Sequence, residues 1–394
     1  MHAELIAIGS ELVLGEIVDT NSAHIARALR SVGLAVERLA AVGDDTDKIA
    51  AIVRETAARA PVVITTGGLG PTVDDPTRAA VARAFGRELE YRPELWAQIE
   101  ARFRKFGRIP TENNRLQAHI PAGARPVENP VGTAPAFIVE HAGGAVISLP
   151  GVPREMEYLL THAVLPYLRQ HFGLTGVLKA KVLRTVGMGE SLIDAQIGEL
   201  EKLANPTVGL AAHAGQVDVR ITAKAESEAA ADALIAPVEA QVRAALGEFI
   251  FGEGQQALEE VVAALLAERG LSLAVAEAGT DGRLNARLAV LPQAAQIYRG
   301  ALLLGDGCSP AEGAAQARAE RAADFGLAAR VTRTPEAQTI EIALTDATAV
   351  ETRTQGYGGP PAYLGQWAST SVLNLLRLRL LRAGPAAPGE TPRA

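Results

Sequence analysis

Alternating apolar and polar runs in the first quarter of the chain predict a repeated strand–helix unit. The runs "AELIAIG", "LAVERLAAV" and "PVVITT" indicate strands, because they are short, apolar and partly β-branched or alternating. Each precedes a segment with helical spacing, such as Ile25, Leu29 and Val32 in "NSAHIARALRSVG". Asn21 is predicted to cap that helix, and Pro76 to lie in the first turn of the third helix. This order predicts a parallel sheet with helices on both faces.

Later patterns extend the prediction to an α/β protein with three domains. The first is a three-layer parallel-sheet domain at residues 1–172. A strand, a helix, paired strands and another helix predict a small α+β middle domain at 173–252. Residues 253–382 are predicted to form a C-terminal α/β domain, and the tail "AGPAAPGETPRA" at 383–394 to be disordered.

Composition narrows the class of protein. The net charge is -7 with a pI of about 5.6, which argues against direct nucleic-acid binding. A single cysteine, Cys308, excludes an internal disulfide framework and a cysteine-cluster zinc site. The N-terminal residues lack a signal-peptide pattern, and no apolar run is long enough for a membrane span. We therefore expect a cytoplasmic protein that does not associate with membranes.

The stretch "TTGGLGPTVDD" at 65–75 is the first candidate site. A glycine-rich turn between a strand and a helix exposes backbone N–H groups, and the helix N-terminus adds positive potential, so phosphate fits there. Asp74 and Asp75 would then hold a divalent cation on the phosphate or activate water. The structural alternative is that Asp75 only caps the helix beginning at Pro76.

Other polar loops are predicted to surround this turn. "GSELVLGEIVDTN" at 9–21 also follows a strand and would lie at the same sheet edge, unless it is an ordinary loop in which Asn21 caps a helix. "TENNRLQAHIP" at 111–121 offers amides for a sugar or base, although such loops are often only turns. In "LPGVPREMEY", Glu155 lies in the first turn of a helix, where a carboxylate is favoured in any case.

These stretches together resemble the competence/damage-inducible protein A (CinA) family. The segments that carry the resemblance are Gly9–Asn21, Thr66–Asp75, Asn129–Pro135 and Leu149–Glu155. The resemblance implies an N-terminal domain similar to the molybdopterin-binding fold of molybdenum-cofactor enzymes, and a homodimer. It also implies an ADP-ribose pyrophosphatase that depends on a divalent metal (Mg²⁺ or Co²⁺) and K⁺ and yields AMP and ribose 5-phosphate. The family name adds competence or recombination proteins as partners.

The resemblance also implies roles for individual residues. Asp75 would be catalytic together with Glu11 or Asp45, and Asp74 and Asp75 would contact the metal. Substrate and cofactor contacts would come from Ser10, Glu16, Asn21, Thr66, Gly67, Gly68, Gly70, Thr72, Asn114, Gly132, Thr133, Pro150 and Gly151. One departure is Ala136 in "GTAPAF", where the family usually has glycine.

The C-terminal domain resembles the family's nicotinamide mononucleotide deamidase but lacks its nucleophile. In "AEAGTDG" at 276–282, Ala278 stands where the family has serine, and Asp281 replaces a glycine. An alanine methyl cannot attack an amide, and Gly305 and Pro310 stand near the expected tyrosine and lysine. Cys308 lies beyond this signature. The departures predict a retained fold without amidase activity.

Three alternatives to the pyrophosphatase remain open at this point. The first is the deamidase itself, which Ala278 contradicts. The second is a non-catalytic nucleotide-binding or scaffold protein in competence or DNA repair. The third is molybdopterin handling, which rests on fold analogy alone.

Overall fold

A computed structural model describes residues 1–305, 307–334 and 337–383. Its contacts divide the chain into two compact units: unit 1 contains Met1–Lys179 and Ala223–Ala233, and unit 2 contains Ala180–Thr222 and the chain from Leu234 onward. The predicted division at 172/173 and 252/253 stays a prediction. From residue 384 onward, the predicted disordered tail lies outside the described residues.

Unit 1 is built on a six-stranded sheet in the order β2-β1-β3-β8-β7-β6, and β4 pairs with β5 in a separate ribbon. The strands are β1 His2–Ile8, β2 Ala35–Val42, β3 Val62–Thr66, β4 Leu89–Tyr91, β5 His119–Pro121, β6 Arg125–Val127, β7 Ala136–His141 and β8 Gly144–Leu149. The α-helices are α1 Ser10–Val13, α2 Thr20–Leu29, α3 Thr46–Ala57, α4 Thr77–Ala84, α5 Pro93–Lys105, α6 Pro153–Leu159 and α7 Leu165–Phe172.

The side chains of β1 alternate between two apolar layers. Leu5 packs with Ile25 of α2, whereas Ile6 packs with Ile49 of α3, and all four side chains are almost fully buried. Because successive side chains of a strand point to opposite faces, the sheet is covered on both sides. This arrangement confirms the predicted three-layer α/β fold.

The sheet is parallel only where helices connect its strands. β1 pairs parallel with β2 and β3, and β3 pairs parallel with β8. β7 joins β8 through a tight turn at residues 142–143, so this pair is antiparallel, as is the pair β6 and β7. The carboxyl ends of β1, β3 and β8 therefore lie side by side at one edge.

Two predicted helix starts are wrong in detail. Asp19, not Asn21, is the N-cap of α2, because its carboxylate accepts a hydrogen bond from the Ser22 N–H at 2.9 Å. Asn21 lies inside the first turn, and its side chain points elsewhere. The third helix begins at Thr77, and Pro76 occupies the cap position before it.

The chain after α7 forms a four-stranded sheet in the order β10-β11-β9-β12 and a five-stranded sheet in the order β14-β13-β15-β16-β17. The remaining strands are β9 Val177–Val186, β10 Thr207–His213, β11 Gln216–Ala225, β12 Ile250–Glu253, β13 Leu273–Ala278, β14 Tyr298–Leu303, β15 Phe325–Arg333, β16 Gln338–Thr345 and β17 Val350–Gly356. The remaining α-helices are α8 Glu190–Glu201, α9 Glu228–Leu246, α10 Leu258–Ala267, α11 Arg283–Ala289, α12 Ala294–Ile297, α13 Pro310–Glu320 and α14 Leu364–Arg382.

The five-stranded sheet also separates two apolar layers. Val275 of β13 packs in the same cluster as residues of α10 and α14, whereas Ala276 packs with Ala314 and Ala317 of α13. The small side chains on the α13 side let that helix lie close to the sheet. Among the helices of the described residues, none has the length and apolar character that crossing a bilayer requires.

Candidate functional site

Three loops meet at the edge where β1, β3 and β8 end. The Asn21 side-chain amide, in the first turn of α2, donates hydrogen bonds to the Thr66 hydroxyl (3.2 Å) and to the Gly151 carbonyl (2.8 Å). The Thr66 hydroxyl donates in turn to the Pro150 carbonyl at 3.2 Å. Parallel strands bring the segments that follow them to one sheet edge, which is where α/β proteins bind ligands. The structure thus brings Asn21, Thr66, Pro150 and Gly151 together.

The turn after β3 requires glycine for two separate reasons. Gly67 and Gly68 have φ angles of 109° and 64°, in the left-handed region that favours glycine. A Cβ on Gly67 would also overlap the Ile8 carbonyl, and one on Gly68 would overlap the Thr77 hydroxyl. Thr77 Oγ1 donates to the Gly67 carbonyl at 2.8 Å, so the helix start holds the turn in place. The result is a rigid backbone that presents no side chains at positions 67 and 68.

Asp75 braces the loop between the turn and α4. Its carboxylate accepts hydrogen bonds from the Gly70 N–H (2.7 Å), the Thr72 N–H (2.9 Å) and the Thr72 hydroxyl (2.5 Å). α4 has no side-chain cap, so the interpretation of Asp75 as a helix cap is wrong. Asp74 next to it is exposed. Three loop donors already engage Asp75, whereas Asp74 faces solvent at the same loop.

Arg78 is a site residue that the sequence did not reveal. It is only 5% exposed and donates to the carbonyls of Leu69 (2.8 Å) and Gly70 (2.5 Å). Burial lowers the pKa of Arg78 to about 10, and the nearby Asp75 carboxylate opposes that shift. Arg78 therefore stays charged at neutral pH and holds the far end of the glycine loop. The sequence feature that could have indicated this role is the position of Arg78, the second residue of the helix that follows the loop.

The loop after β1 is tied to the loop after β2. The Ser10 N–H donates to Asp44 Oδ2 (2.8 Å), and the Asp44 N–H donates to Ser10 Oγ (3.1 Å). Glu11 and Glu16 are both exposed, and the Glu11 carboxylate lies over the backbone of Gly9. Glu11 is therefore a carboxylate at this edge that remains open to solvent.

Asp45 caps α3. Its Oδ1 accepts from the N–H groups of Asp47 (2.9 Å) and Lys48 (3.1 Å). The hydrogen bond from the Lys48 N–H is the main cause that lowers the pKa of Asp45. A carboxylate stabilised in this way is a weaker base than an unengaged one.

Asn114 is buried and organises its own loop. Its Oδ1 accepts from the Thr111 N–H (2.9 Å) and hydroxyl (3.0 Å), while its amide donates to Gln117 Oε1 at 3.2 Å. The Gln117 amide donates onward to the Leu69 carbonyl at 3.3 Å. Asn114 thus reaches the glycine loop through Gln117 rather than through an exposed amide.

Glu155 anchors the loop that carries Gly132 and Thr133. Its Oε2 accepts from the Asn129 amide at 2.5 Å, and a Cβ on Gly132 would overlap this carboxylate. Burial raises the pKa of Glu155, and the hydrogen bonds from Asn129 and from the Ala134 backbone oppose the rise. Gly132 is buried, and the Glu155 carboxylate leaves no room for a side chain at this position. Thr133, the next residue, is half-buried.

The donor set does not fit a resident metal centre. Within residues 1–305, 307–334 and 337–383, no three His, Cys, Asp or Glu side chains cluster as metal ligands would. The two predicted metal contacts differ, because Asp75 is engaged by its loop and only Asp74 is exposed. A divalent ion at this edge would need most of its oxygen ligands from elsewhere.

The predicted nucleophile position in unit 2 carries no reactive group. Ala278 is the last residue of β13, and the neighbouring Glu277 is buried and accepts hydrogen bonds from Thr280 (2.5 Å) and from the backbone at the start of α11. Cys308 is half-buried, and its Sγ lies 3.6 Å from the carbonyl of Ser309. Around Ala278, the side chains thus fix the strand-to-helix turn.

Two family models match successive parts of the chain. Residues 4–170 match the model of a "Probable molybdopterin binding domain", and residues 180–252 match that of a "Damage-inducible protein CinA KH domain". A crystal structure of "the protein CinA with unknown function" from Thermoplasma acidophilum is 40% identical, with a TM-score of 0.39, over 42% of this chain and 96% of that chain.

Curated relatives extend the similarity over most of the chain. A "Putative competence-damage inducible protein" from Clostridium botulinum (strain 657 / Type Ba4) is 41% identical over 76% of this chain and 73% of its own length. A "CinA-like protein" from Frankia casuarinae is 40% identical, and the match covers 96% of both chains. Because similarity at this level runs almost from end to end, the chain belongs to the CinA family.

Proposed function

We propose that unit 1 is a nucleotide pyrophosphatase that hydrolyses ADP-ribose to AMP and ribose 5-phosphate in pyridine-nucleotide recycling. Membership in the CinA family supports the coarser statement, a nucleotide-related or competence- and damage-related role. The observation that carries the finer proposal is the Asn21 amide, which joins Thr66 of the glycine turn to Gly151. A rigid glycine turn at a sheet edge, held from two sides, suits a phosphate group.

Each part of the edge has a distinct task in this proposal. Backbone N–H groups of the loop after β3 that neither Asp75 nor Leu149 engages bind the pyrophosphate, which approaches closely because Gly67 and Gly68 have no side chains. Asn21 and Gly151 line the nucleotide end. Asp75 and Arg78 hold the loop conformation through the hydrogen bonds described above.

Glu11 is the carboxylate best suited to act as the base. Asp75 and Asp45 already accept hydrogen bonds from the backbone, whereas Glu11 is exposed at the same edge. Glu11 takes a proton from water while the water oxygen bonds to one phosphorus. The bond from that phosphorus to the bridging oxygen breaks, and its electron pair leaves with the other phosphate.

The divalent ion enters this proposal as part of the substrate. Mg²⁺ characteristically binds through one or two carboxylates together with substrate phosphates, and Asp74 is the exposed carboxylate at the loop. Mg²⁺ or Co²⁺ would thus arrive on the pyrophosphate of ADP-ribose. The K⁺ requirement, the homodimer and the competence or recombination partners stay predictions with no residues assigned.

Product analysis with the full-length protein tests the proposal. ADP-ribose is supplied with Mg²⁺ or Co²⁺ and K⁺, and AMP is separated by chromatography. We expect AMP formation to fall by about 10²- to 10⁴-fold in Glu11→Gln, the range for loss of general base catalysis. Asn21→Ala should raise KM more than it lowers kcat. Glu90→Gln makes the same change at an exposed position of β4 and should retain full activity.

The same assay tests the loss of amidase activity. Nicotinamide mononucleotide should release no ammonia, because the side chain of Ala278 cannot form an acyl-enzyme. Ammonia release would show that another residue replaces the missing serine. If purified protein leaves ADP-ribose intact under all metal conditions, the pyrophosphatase proposal fails and a non-catalytic binding role replaces it.

A further inference from the structure

Strand β17 is an open edge of the five-stranded sheet in unit 2. The strand order ends at β17, so among the described residues no strand pairs with its outer side. The strand runs for seven residues, Val350–Gly356, and pairs with β16 in an unbroken register. All of its residues are exposed except Glu351, which is half-buried. A regular edge of this length, without a proline or a bulge, is a template for a further strand.

Two hydrogen bonds show which backbone groups of β17 face outward. At one end of the pair, the Asp346 N–H donates to the Ala349 carbonyl at 3.1 Å. At the other end, the Tyr357 N–H donates to the Gln338 carbonyl at 2.8 Å. Because the backbone groups of a strand alternate between its two sides, the odd-numbered residues of β17 bond to β16. The N–H and C=O groups of the even-numbered residues therefore point away from β16.

The face of β17 that is turned toward α14 carries two opposite charges. Arg353 Nη2 lies 2.8 Å from Glu351 Oε1, and the two side chains are 51% and 44% exposed. Gln355, on the same face, donates to the Ser371 hydroxyl of α14 at 3.4 Å. The two charges stand one residue on either side of Thr352. A two-fold rotation about an axis at Thr352 therefore exchanges the positive and the negative position.

We propose that β17 pairs antiparallel with β17 of a second copy of this chain, with Thr352 on the two-fold axis. Thr352 faces outward, so it exchanges both backbone hydrogen bonds with the partner's Thr352. Arg353 lies opposite the partner's Glu351 in a non-hydrogen-bonded pair, in which Cα atoms are about 4.5 Å apart and side chains are close. An axis at Glu351 or Arg353 would put like charges opposite each other, which destabilises a sheet. An axis at Val350 or Thr354 would pair neither charge with its opposite, so the charges select one register.

This contact joins the five-stranded sheets of the two copies into one continuous sheet. The same strand is used on both sides, so the contact closes at a dimer and does not grow into a fibre. The family resemblance implies a homodimer but no surface for it, whereas β17 supplies a surface, a register and a pair of charges. The contact uses residues of unit 2 alone and does not depend on the pyrophosphatase activity proposed for unit 1.

Charge reversal in the full-length protein tests the register. Sedimentation velocity at about 1–100 µM protein measures the dissociation constant of the dimer, which we expect in this range because the interface is small. Glu351→Arg puts arginine opposite arginine, and Arg353→Glu puts glutamate opposite glutamate, so each variant alone should weaken the dimer by about tenfold or more. Mixed together, the two variants face each other with opposite charges at both positions. The mixture should therefore form a heterodimer with an affinity close to that of the parent.

Two further variants separate backbone pairing from net charge. Thr352→Pro removes an N–H that β16 does not use, so β17 stays paired within the chain while the dimer is lost. Arg220→Glu, at an exposed position of β11, changes the net charge as Arg353→Glu does and should dimerise like the parent.

Three results would overturn the proposal. The first is a parent protein that stays monomeric up to about 100 µM. The second is a dimer that persists unchanged in both Glu351→Arg and Arg353→Glu, which would place the interface on another surface. The third is a mixture of these two variants that dimerises no better than either alone, which would exclude the register. AMP formation from ADP-ribose is measured separately, so failure of the pyrophosphatase proposal is distinguishable from failure of this one.

Discussion

Replacing Arg78 with methionine tests how the glycine loop is held. The substitution keeps an unbranched side chain but removes the donors to the Leu69 and Gly70 carbonyls, at 2.8 and 2.5 Å. A hydrogen bond from a charged donor contributes about 1.5–3 kcal/mol, and leaving a buried carbonyl unpaired costs about 1–3 kcal/mol. Methionine also removes the cost of burying a guanidinium, which offsets part of the loss. We therefore expect Arg78→Met to lower the free energy of unfolding of unit 1 by about 2–4 kcal/mol.

Urea titration followed by Trp96 fluorescence measures this change. Trp367→Phe provides the parent background, so that the signal reports unit 1 alone. The matched control is Arg83→Met on the same helix, where the arginine is 60% exposed and pairs with Asp47 at 2.5 Å. An exposed pair contributes about 0–1 kcal/mol, so this variant should unfold close to the parent. If Arg78→Met lies within about 0.5 kcal/mol of Arg83→Met, the loop does not depend on Arg78 as argued.

Three further predictions use the same unfolding measurement. Arg59→Met should destabilise unit 1 by about 2–3 kcal/mol, because Glu4 is 3% exposed and accepts three hydrogen bonds from Arg59. Arg59 holds the pKa of Glu4 below its usual value, so the difference in stability between Arg59→Met and the parent should shrink as pH falls below about 4. A difference that does not change with pH would contradict the role of the Glu4 carboxylate. Gly67→Ala should cost more than about 3 kcal/mol through its left-handed φ and the overlap with the Ile8 carbonyl, and near-parent stability would refute the close packing. For Glu155, burial raises the pKa above the unfolded value, so its stabilising contribution is complete below the unfolded pKa and is lost as pH rises through the folded one. Glu155→Gln should accordingly gain stability relative to the parent as the pH rises above about 4, near the pKa of an unfolded glutamate, whereas a constant difference would argue against the raised pKa.

The sequence predicted the elements that frame the candidate site because their signals are local. β1, β2 and β3 follow short apolar runs, and α2 contains Ile25 and Leu29 at helical spacing. The meeting of the loops after β1 and β3 also follows from local signals, since parallel strands end at a common edge. The prediction that Asn21 caps α2 was wrong because Asp and Asn both cap helices well, and Asp19 takes that position. The Asn21 amide instead donates to the carbonyl of Gly151, which is distant in the chain.

No local sequence pattern indicated that charged side chains would be buried at the site. Arg78 is enclosed because the carbonyls of Leu69 and Gly70 turn toward it, which depends on the whole glycine loop. A carboxylate is favoured in the first turn of any helix, so the position of Glu155 in the sequence did not indicate that its side chain contacts Asn129. The cavity lined by Arg184 was also beyond prediction, because its lining joins residues as far apart in the chain as Arg184 and Thr370.

The discontinuity of unit 1 has a consequence for how the chain folds as it is synthesised. Residues Ala223–Ala233 belong to unit 1, and Lys179 pairs with Asp232 at 2.8 Å, although the intervening Ala180–Thr222 belongs to unit 2. At about 5–20 residues per second, the ribosome needs roughly 3–10 seconds to advance the 54 residues from Lys179 to Ala233. The sheet of unit 1 forms from residues made before that interval, but its last segment arrives only after part of unit 2 has emerged. Completion of the N-terminal unit is thus coupled in time to the start of the second. A chain whose synthesis stops between residues 179 and 223 would contain a unit 1 that lacks its final contacts.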